Sequence, residues 1–132
     1  EGYAFEQVCL HHIPQIKKKL GISGILSNVC TWSYRGATDI ENDQLAGAQI
    51  DIIIDRGDKT INLCEMKFVN QPYVISSNYA MWLIKRRELF KQVTGTRKTI
   101  HLTMVTSYGV EHNAAWQNIQ SEVTMDDLFQ IE

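Results

Sequence analysis

The sequence predicts an α/β domain, a mixed sheet flanked by helices. Three observations carry this: a helical stripe at the start, two β-rich runs joined by a tight turn, and a long capped helix followed by a β-branched strand. The order α, β, β-hairpin, α, β calls for three successive strands and a helical crossover to a fourth. With 132 residues, the chain is expected to build one domain around one core.

From Gly2 to Leu20, Phe5, Val8, Cys9, His12, Ile13, Ile16 and Leu20 recur at three- and four-residue spacing, the stripe of an amphipathic helix. Pro14 removes a backbone donor and presses on the preceding turn, so a kink or a break near His12 is expected. Gly21 suits the helix end, and Lys17, Lys18 and Lys19 complement the dipole of the last turn. Gly24 to Tyr34 reads as a strand, followed by a polar loop from Arg35 to about Leu45. Ala48 to Asp55 and Thr60 to Phe68 read as a hairpin around Arg56-Gly57-Asp58, or a loop centred on Asp58. Asn70-Gln71-Pro72 breaks the pattern, and Ser76 or Ser77 offers an N-cap for a helix running to about Thr94 and closed by Gly95. Thr99 to Thr106 is a β-branched strand, and Thr124 caps one helical turn through Phe129.

The composition is 44% apolar and 21% charged with two prolines, which sets aside disorder and low-complexity architectures. No apolar run approaches the roughly 20 residues of a membrane helix, and Glu1-Gly2-Tyr3 does not read as a signal peptide. Cys9, Cys30 and Cys64 show no CxxC spacing and lie in apolar runs, where thiols pack as small hydrophobes; a reducing cytoplasm is expected. The formal net charge of −2 hides two opposed segments. Residues 75–98 hold six bases against one acid, and residues 35–58 hold six acids against two bases. On patterning alone, two solvated faces are the preferred reading of that pattern over a binding role.

The most informative segment is Ile50-Asp51-Ile52-Ile53-Ile54-Asp55 followed by Leu63-Cys64-Glu65-Met66-Lys67. Strict alternation puts Ile50, Ile52 and Ile54 on one face and Asp51 on the other with Ile53. A three-residue loop makes Asp51 and Glu65 project from the same side, about 4.5–8 Å apart if opposed or diagonal. Two carboxylates in an apolar setting repel, so the pair needs a raised pKa, a basic partner or a divalent cation. Asp51 and Glu65 with water suit the octahedral oxygen shell of Mg²⁺, and Lys67 on the same face points at the same space, where it can orient or deprotonate an attacking water. The plain alternative is a cross-strand charge cluster on a solvated face.

At these residues the sequence resembles the PD-(D/E)XK nuclease superfamily: Gly2-Tyr3-Ala4-Phe5-Glu6 on the first helix, then Ile50-Asp51, then Glu65-Met66-Lys67, then a long helix and a strand. More narrowly it is similar to the nuclease-like domain at the C-terminus of bacterial and archaeal AAA-type ATPases. The resemblance implies a restriction-endonuclease-like αβββαβ core and Mg²⁺- or Mn²⁺-dependent phosphodiester hydrolysis of DNA or RNA. It implies that Asp51 and Glu65 bind metal, that Lys67 assists the water, that Glu6 joins the site, and that an ATPase domain in the parent chain is a partner. Ile50 stands where the motif has proline, and no GxxxxGK[ST] loop is present. The rival class is an inactive binding or regulatory module on the same fold, and a third is a plain dimerisation domain.

Around this set, Glu6 lies on the edge of the first helix's stripe, suited either to the sheet or to the helix dipole. On the second helix Tyr79, Trp82, Leu83, Leu89, Phe90 and Val93 form the apolar stripe, and Arg86 falls in its middle. Such an arginine either snorkels past the aromatics or pairs with a carboxylate. Lys85, Arg86, Arg87 and Lys91 are candidates for nucleic-acid phosphates, against the alternative of a solvated helix surface. Trp32, Tyr34, Tyr73 and Tyr108 are candidates for base stacking or for core and rim. His11, His12, His101 and His112 lack zinc-ligand spacing.

Overall fold

A computed structural model describes residues 2–36 and 46–130. The elements run α1 (Gly2–Leu10), α2 (Ile13–Lys19), β1 (Ser27–Gly36), β2 (Ala46–Arg56), β3 (Thr60–Lys67), α3 (Ser77–Thr94), β4 (Thr99–Thr106), a 3-10 turn (Ala114–Asn118), β5 (Ser121–Thr124) and α4 (Met125–Leu128). The break at His12 occurs where Pro14 predicts it, with proline inside the first turn of α2, where its missing donor costs nothing. The expected strand from Gly24 starts later, at Ser27. The expected loop from Arg35 to Leu45 overlaps β1 by two residues, and 37–45 lie outside the described residues.

Five strands form one mixed sheet in the order β1-β2-β3-β4-β5. β1, β2 and β3 are antiparallel, while β4 is parallel to β3 and β5 to β4. The helical crossover from β3 to β4 is the expected one. β5 is not expected from the sequence: Ser121-Glu122-Val123-Thr124 is too short and polar to signal a strand, and only β4 beside it supplies the ladder. α3 opens as expected, with the Ser76 hydroxyl accepting from Tyr79 N at 3.0 Å, and closes on Gly95 in the left-handed region at φ 69°. The hairpin loop is Gly57-Asp58-Lys59, with Lys59 at φ 69°.

Two cores lie on opposite faces of the sheet. Phe5, Cys9 and Ile16 of α1 and α2 and Leu128 of α4 pack on Ile52, Ile54, Cys64, Val105 and Val123. On the other face Ala80, Leu83 and Phe90 of α3 pack on Ile50, Ile53, Ile61, Leu63, Leu102 and Met104. Each such buried aliphatic side chain contributes about 1.5–3 kcal/mol, so the sheet is held from both sides. Trp82 and Val93, expected in the α3 stripe, are exposed; the buried residues of α3 are Ala80, Leu83 and Phe90. Cys9 and Cys64 are buried as expected, but Cys30 is exposed on the edge strand β1. Among the described residues no helix is long and apolar enough to cross a membrane.

Strict alternation along β2 fails at one place. Cys30 pairs with Ile53 and Trp32 with Ile50, so Asp51 and Ile52 together oppose Thr31. That is a β-bulge, which inserts one residue and re-aims the strand. Ile50 therefore joins Ile53 on the α3 face instead of joining Ile52 and Ile54, correcting the expected grouping.

Candidate active site

The bulge places Asp51 at a fork. β2 and β3 pair from Asp55 with Ile61 as far as Ile52 with Cys64, and the next positions on either strand are Asp51 and Glu65. The three-residue loop produces the register that the expected opposition of Asp51 and Glu65 required. Leu63 belongs to the α3 core, and alternation along β3 carries Glu65 and Lys67 to that same face, where both meet α3.

Glu6 arrives from α1. Phe5 is buried, its ring 5.3 Å from that of Phe68 just beyond β3, which brings the start of α1 to the end of the sheet that bears Glu65 and Lys67. The carboxyl groups of Glu6 and Asp51 lie within hydrogen-bonding reach. Burial, that hydrogen bond and the Asp51 charge all raise the Glu6 pKa above its ordinary value. Gln49 Nε2 donates to Asp51 Oδ1 at 2.7 Å. Among the described residues no lysine or arginine pairs with either acid.

Glu65 has a different neighbour. Arg86 Nε stands 3.3 Å from Glu65 Oε2, with side chains 14% and 15% exposed, an ion pair whose angle leaves the N–H short of a formed hydrogen bond. Burial pushes the Glu65 carboxyl up, Arg86 and Lys67 pull it back, and Asp51 pushes it up again; the net direction is upward. Arg86 thus takes the second of its two expected options, the carboxylate. Its guanidinium also lies 4.2 Å from the centre of the Trp82 ring. Lys67 Nζ sits 4.8 Å from the centre of Tyr79 and 5.8 Å from that of Tyr73.

Of the candidate phosphate contacts, Lys85 and Lys91 are exposed on α3, Arg87 Nε donates to Glu88 at 3.0 Å, and Arg86 is turned inward. Tyr73 lies beside Lys67, whereas Trp32 and Tyr34 stack on each other on β1 and Tyr108 is exposed. Tyr79 and Trp82 were expected only as core stripe. Their spacing of three from each other and of four from Trp82 to Arg86 is the signal that they share one face with that arginine.

Among the described residues no three His, Cys, Asp or Glu side chains are grouped closely enough to hold a metal ion. Mg²⁺ does not require such a group, because it keeps several waters and binds through one or two carboxylates. Glu6 and Asp51 meet that requirement: two mutually repelling carboxyl groups, without a basic partner among the described residues, supply hard oxygen donors. Glu65 is nearby but engaged by Arg86.

No family model and no curated protein matches the chain. A solved structure described as a protein of unknown function, AF1548, superposes with a TM-score of 0.57 at 15% identity, over 92% of this chain and 64% of that one. The likeness shows the fold alone: an α/β architecture with a five-stranded mixed sheet flanked by helices. The chain spans less than two thirds of that protein's length.

Proposed function

We propose that this domain is a metal-dependent nuclease of the PD-(D/E)XK type on a restriction-endonuclease-like core, hydrolysing phosphodiester bonds in DNA or RNA. The observation that carries the reading is the position of Asp51 where the hairpin ladder opens, within hydrogen-bonding reach of Glu6 from α1 and level with Glu65 of β3, whose charge is felt by both Asp51 and Lys67. The element order and the parallel β4 support the core assignment. Asp51, with Glu6 or Glu65, would hold Mg²⁺ or Mn²⁺, which when bound supplies Lewis-acid stabilisation of a phosphate and a more acidic water. Glu65 and Asp51 accept hydrogen bonds and so orient a water, and the Lys67 ammonium offsets charge growing on the phosphate. The resemblance to ATPase-linked domains extends the proposal to an ATPase domain as the partner in the parent chain.

The Glu65–Arg86 pair favours a second reading, a catalytically silent module in which Glu65 is neutralised internally. Calorimetric titration with Mn²⁺ and a plasmid and oligonucleotide cleavage assay decide between the two. Saturable binding lost in Asp51→Ala, with cleavage lost in Lys67→Ala, supports the nuclease. A protein that binds no Mn²⁺ and cuts neither DNA nor RNA is the silent module.

A further inference from the structure

The four groups Arg86, Trp82, Tyr79 and Lys67 form a continuous ladder. The Arg86 guanidinium lies 4.2 Å from the Trp82 ring centre. Trp82 stacks on Tyr79 at 5.3 Å and 18°. The Tyr79 ring carries Lys67 Nζ at 4.8 Å. Two cations thus cap the ends of one aromatic pair, and both act on Glu65, Arg86 by direct contact and Lys67 through space. Among the described residues Lys67 makes no ion pair or hydrogen bond through its ammonium, so the faces of Tyr79 and Tyr73 are what hold it.

We propose that Tyr79 is a positioning residue: its ring keeps the Lys67 ammonium beside Glu65 without letting the two collapse into a closed ion pair, and Trp82 braces it from the Arg86 side. An ammonium over a ring face is attracted by the ring quadrupole, a directional restraint that an aliphatic side chain lacks. Without the ring, Lys67 is free to close on the carboxylate, and the proposed water-assisting and metal-binding groups neutralise each other. The Tyr79 hydroxyl oxygen is buried with no hydrogen-bond partner, so the ring and not the hydroxyl is the working part. Tyr79→Phe is therefore expected to keep the effect, since Phe retains a π face.

The inference rests on the nuclease reading only for its activity arm. Ring-current shifts of the Lys67 side-chain ε resonances, assigned with Lys67→Arg, are measured by NMR on the metal-free wild-type chain. Upfield-shifted ε protons, retained in Tyr79→Phe and lost in Tyr79→Leu, are expected. Unshifted ε protons in the wild type overturn the proposal whatever the activity, and this arm survives even if Tyr79→Leu does not fold. In cleavage assays Tyr79→Leu is expected to lower kcat by about 3- to 30-fold with KM little changed, and Tyr79→Phe to restore it. Failure of Phe to restore kcat overturns the ring argument, whereas shifted Lys67 protons in a chain that cuts nothing uphold the positioning and sink the nuclease reading.

Discussion

Arg86 Nε and Glu65 Oε2 stand 3.3 Å apart across the interface between α3 and the sheet, with little solvent reaching either side chain. Burial raises the Glu65 pKa and Arg86 offsets part of that rise, so the arginine is what makes an ionised carboxylate tolerable there. Removing one partner of a buried pair leaves an uncompensated charge. Arg86→Gln is expected to cost about 3 kcal/mol in urea unfolding at pH 7. A raised folded pKa means that the stability Glu65 contributes is fully present below its ordinary value of 4.5 and is lost as pH rises through the folded value. The penalty of Arg86→Gln should therefore shrink below pH 4.5; a penalty constant from pH 4 to 7 contradicts the pairing.

Glu6 and Asp51 make the same argument in reverse. The folded pKa of Glu6 is raised, so ionising it opposes folding as pH climbs above 4.5. Glu6→Gln should raise the urea midpoint at pH 7 without metal, and the gain should vanish in acid. Mn²⁺ in hundredfold excess over its Kd should stabilise the wild type by about 2.7 kcal/mol and Asp51→Ala not at all. Thermal melts with and without Mn²⁺ provide the comparison.

α4 is one turn long and depends on its cap. Thr124 and Asp127 form a reciprocal capping box, and Lys19 Nζ lies 3.2 Å from Asp127 Oδ2, tying α2 to α4. Burial pushes the Asp127 carboxyl up, but the Thr124 N–H and the Lys19 contact outweigh it and hold the pKa below 3.8. A lowered folded pKa gives stability present above 3.8 and lost as pH falls through the folded value. Asp127→Ala should cost about 1 kcal/mol at pH 7, and that cost should diminish as pH falls below 3.8 through the folded value, read by denaturant titration.

The three thiols should separate by reactivity. Burial holds Cys9 up at about 12 and pushes Cys64 higher, whereas Cys30 is exposed and raised by partial burial and by Asp55. An alkylating reagent at pH 8 should modify Cys30 at least 10-fold faster than the other two, since the thiolate is the nucleophile. Mass spectrometry of timed digests checks this, and Cys30→Ser should abolish the fast phase.

The elements set by local rules were legible: the proline break at His12, the Ser76 and Gly95 caps, the Thr99–Thr106 strand, and the hairpin whose loop length brings Asp51 level with Glu65. In each, the deciding interaction spans a few residues. That Glu65 and Lys67 share one face followed from alternation along a single strand.

Other features depend on partners distant in sequence. The bulge at Asp51-Ile52 exists because β1 pairs with Ile50 and Ile53 across a one-residue mismatch, and alternation within β2 contains no trace of it. β5 is a strand only because β4 lies beside it. Arg86 showed itself as an anomaly in an apolar stripe, but its choice of Glu65 required the crossover that lays α3 over the sheet. By itself the sequence determined which residue types carry charge and where local backbone geometry must turn, cap or break. Only the tertiary structure decided which charges face one another, because Coulomb and cation–π attractions depend on separation in space, and chain order does not specify that separation.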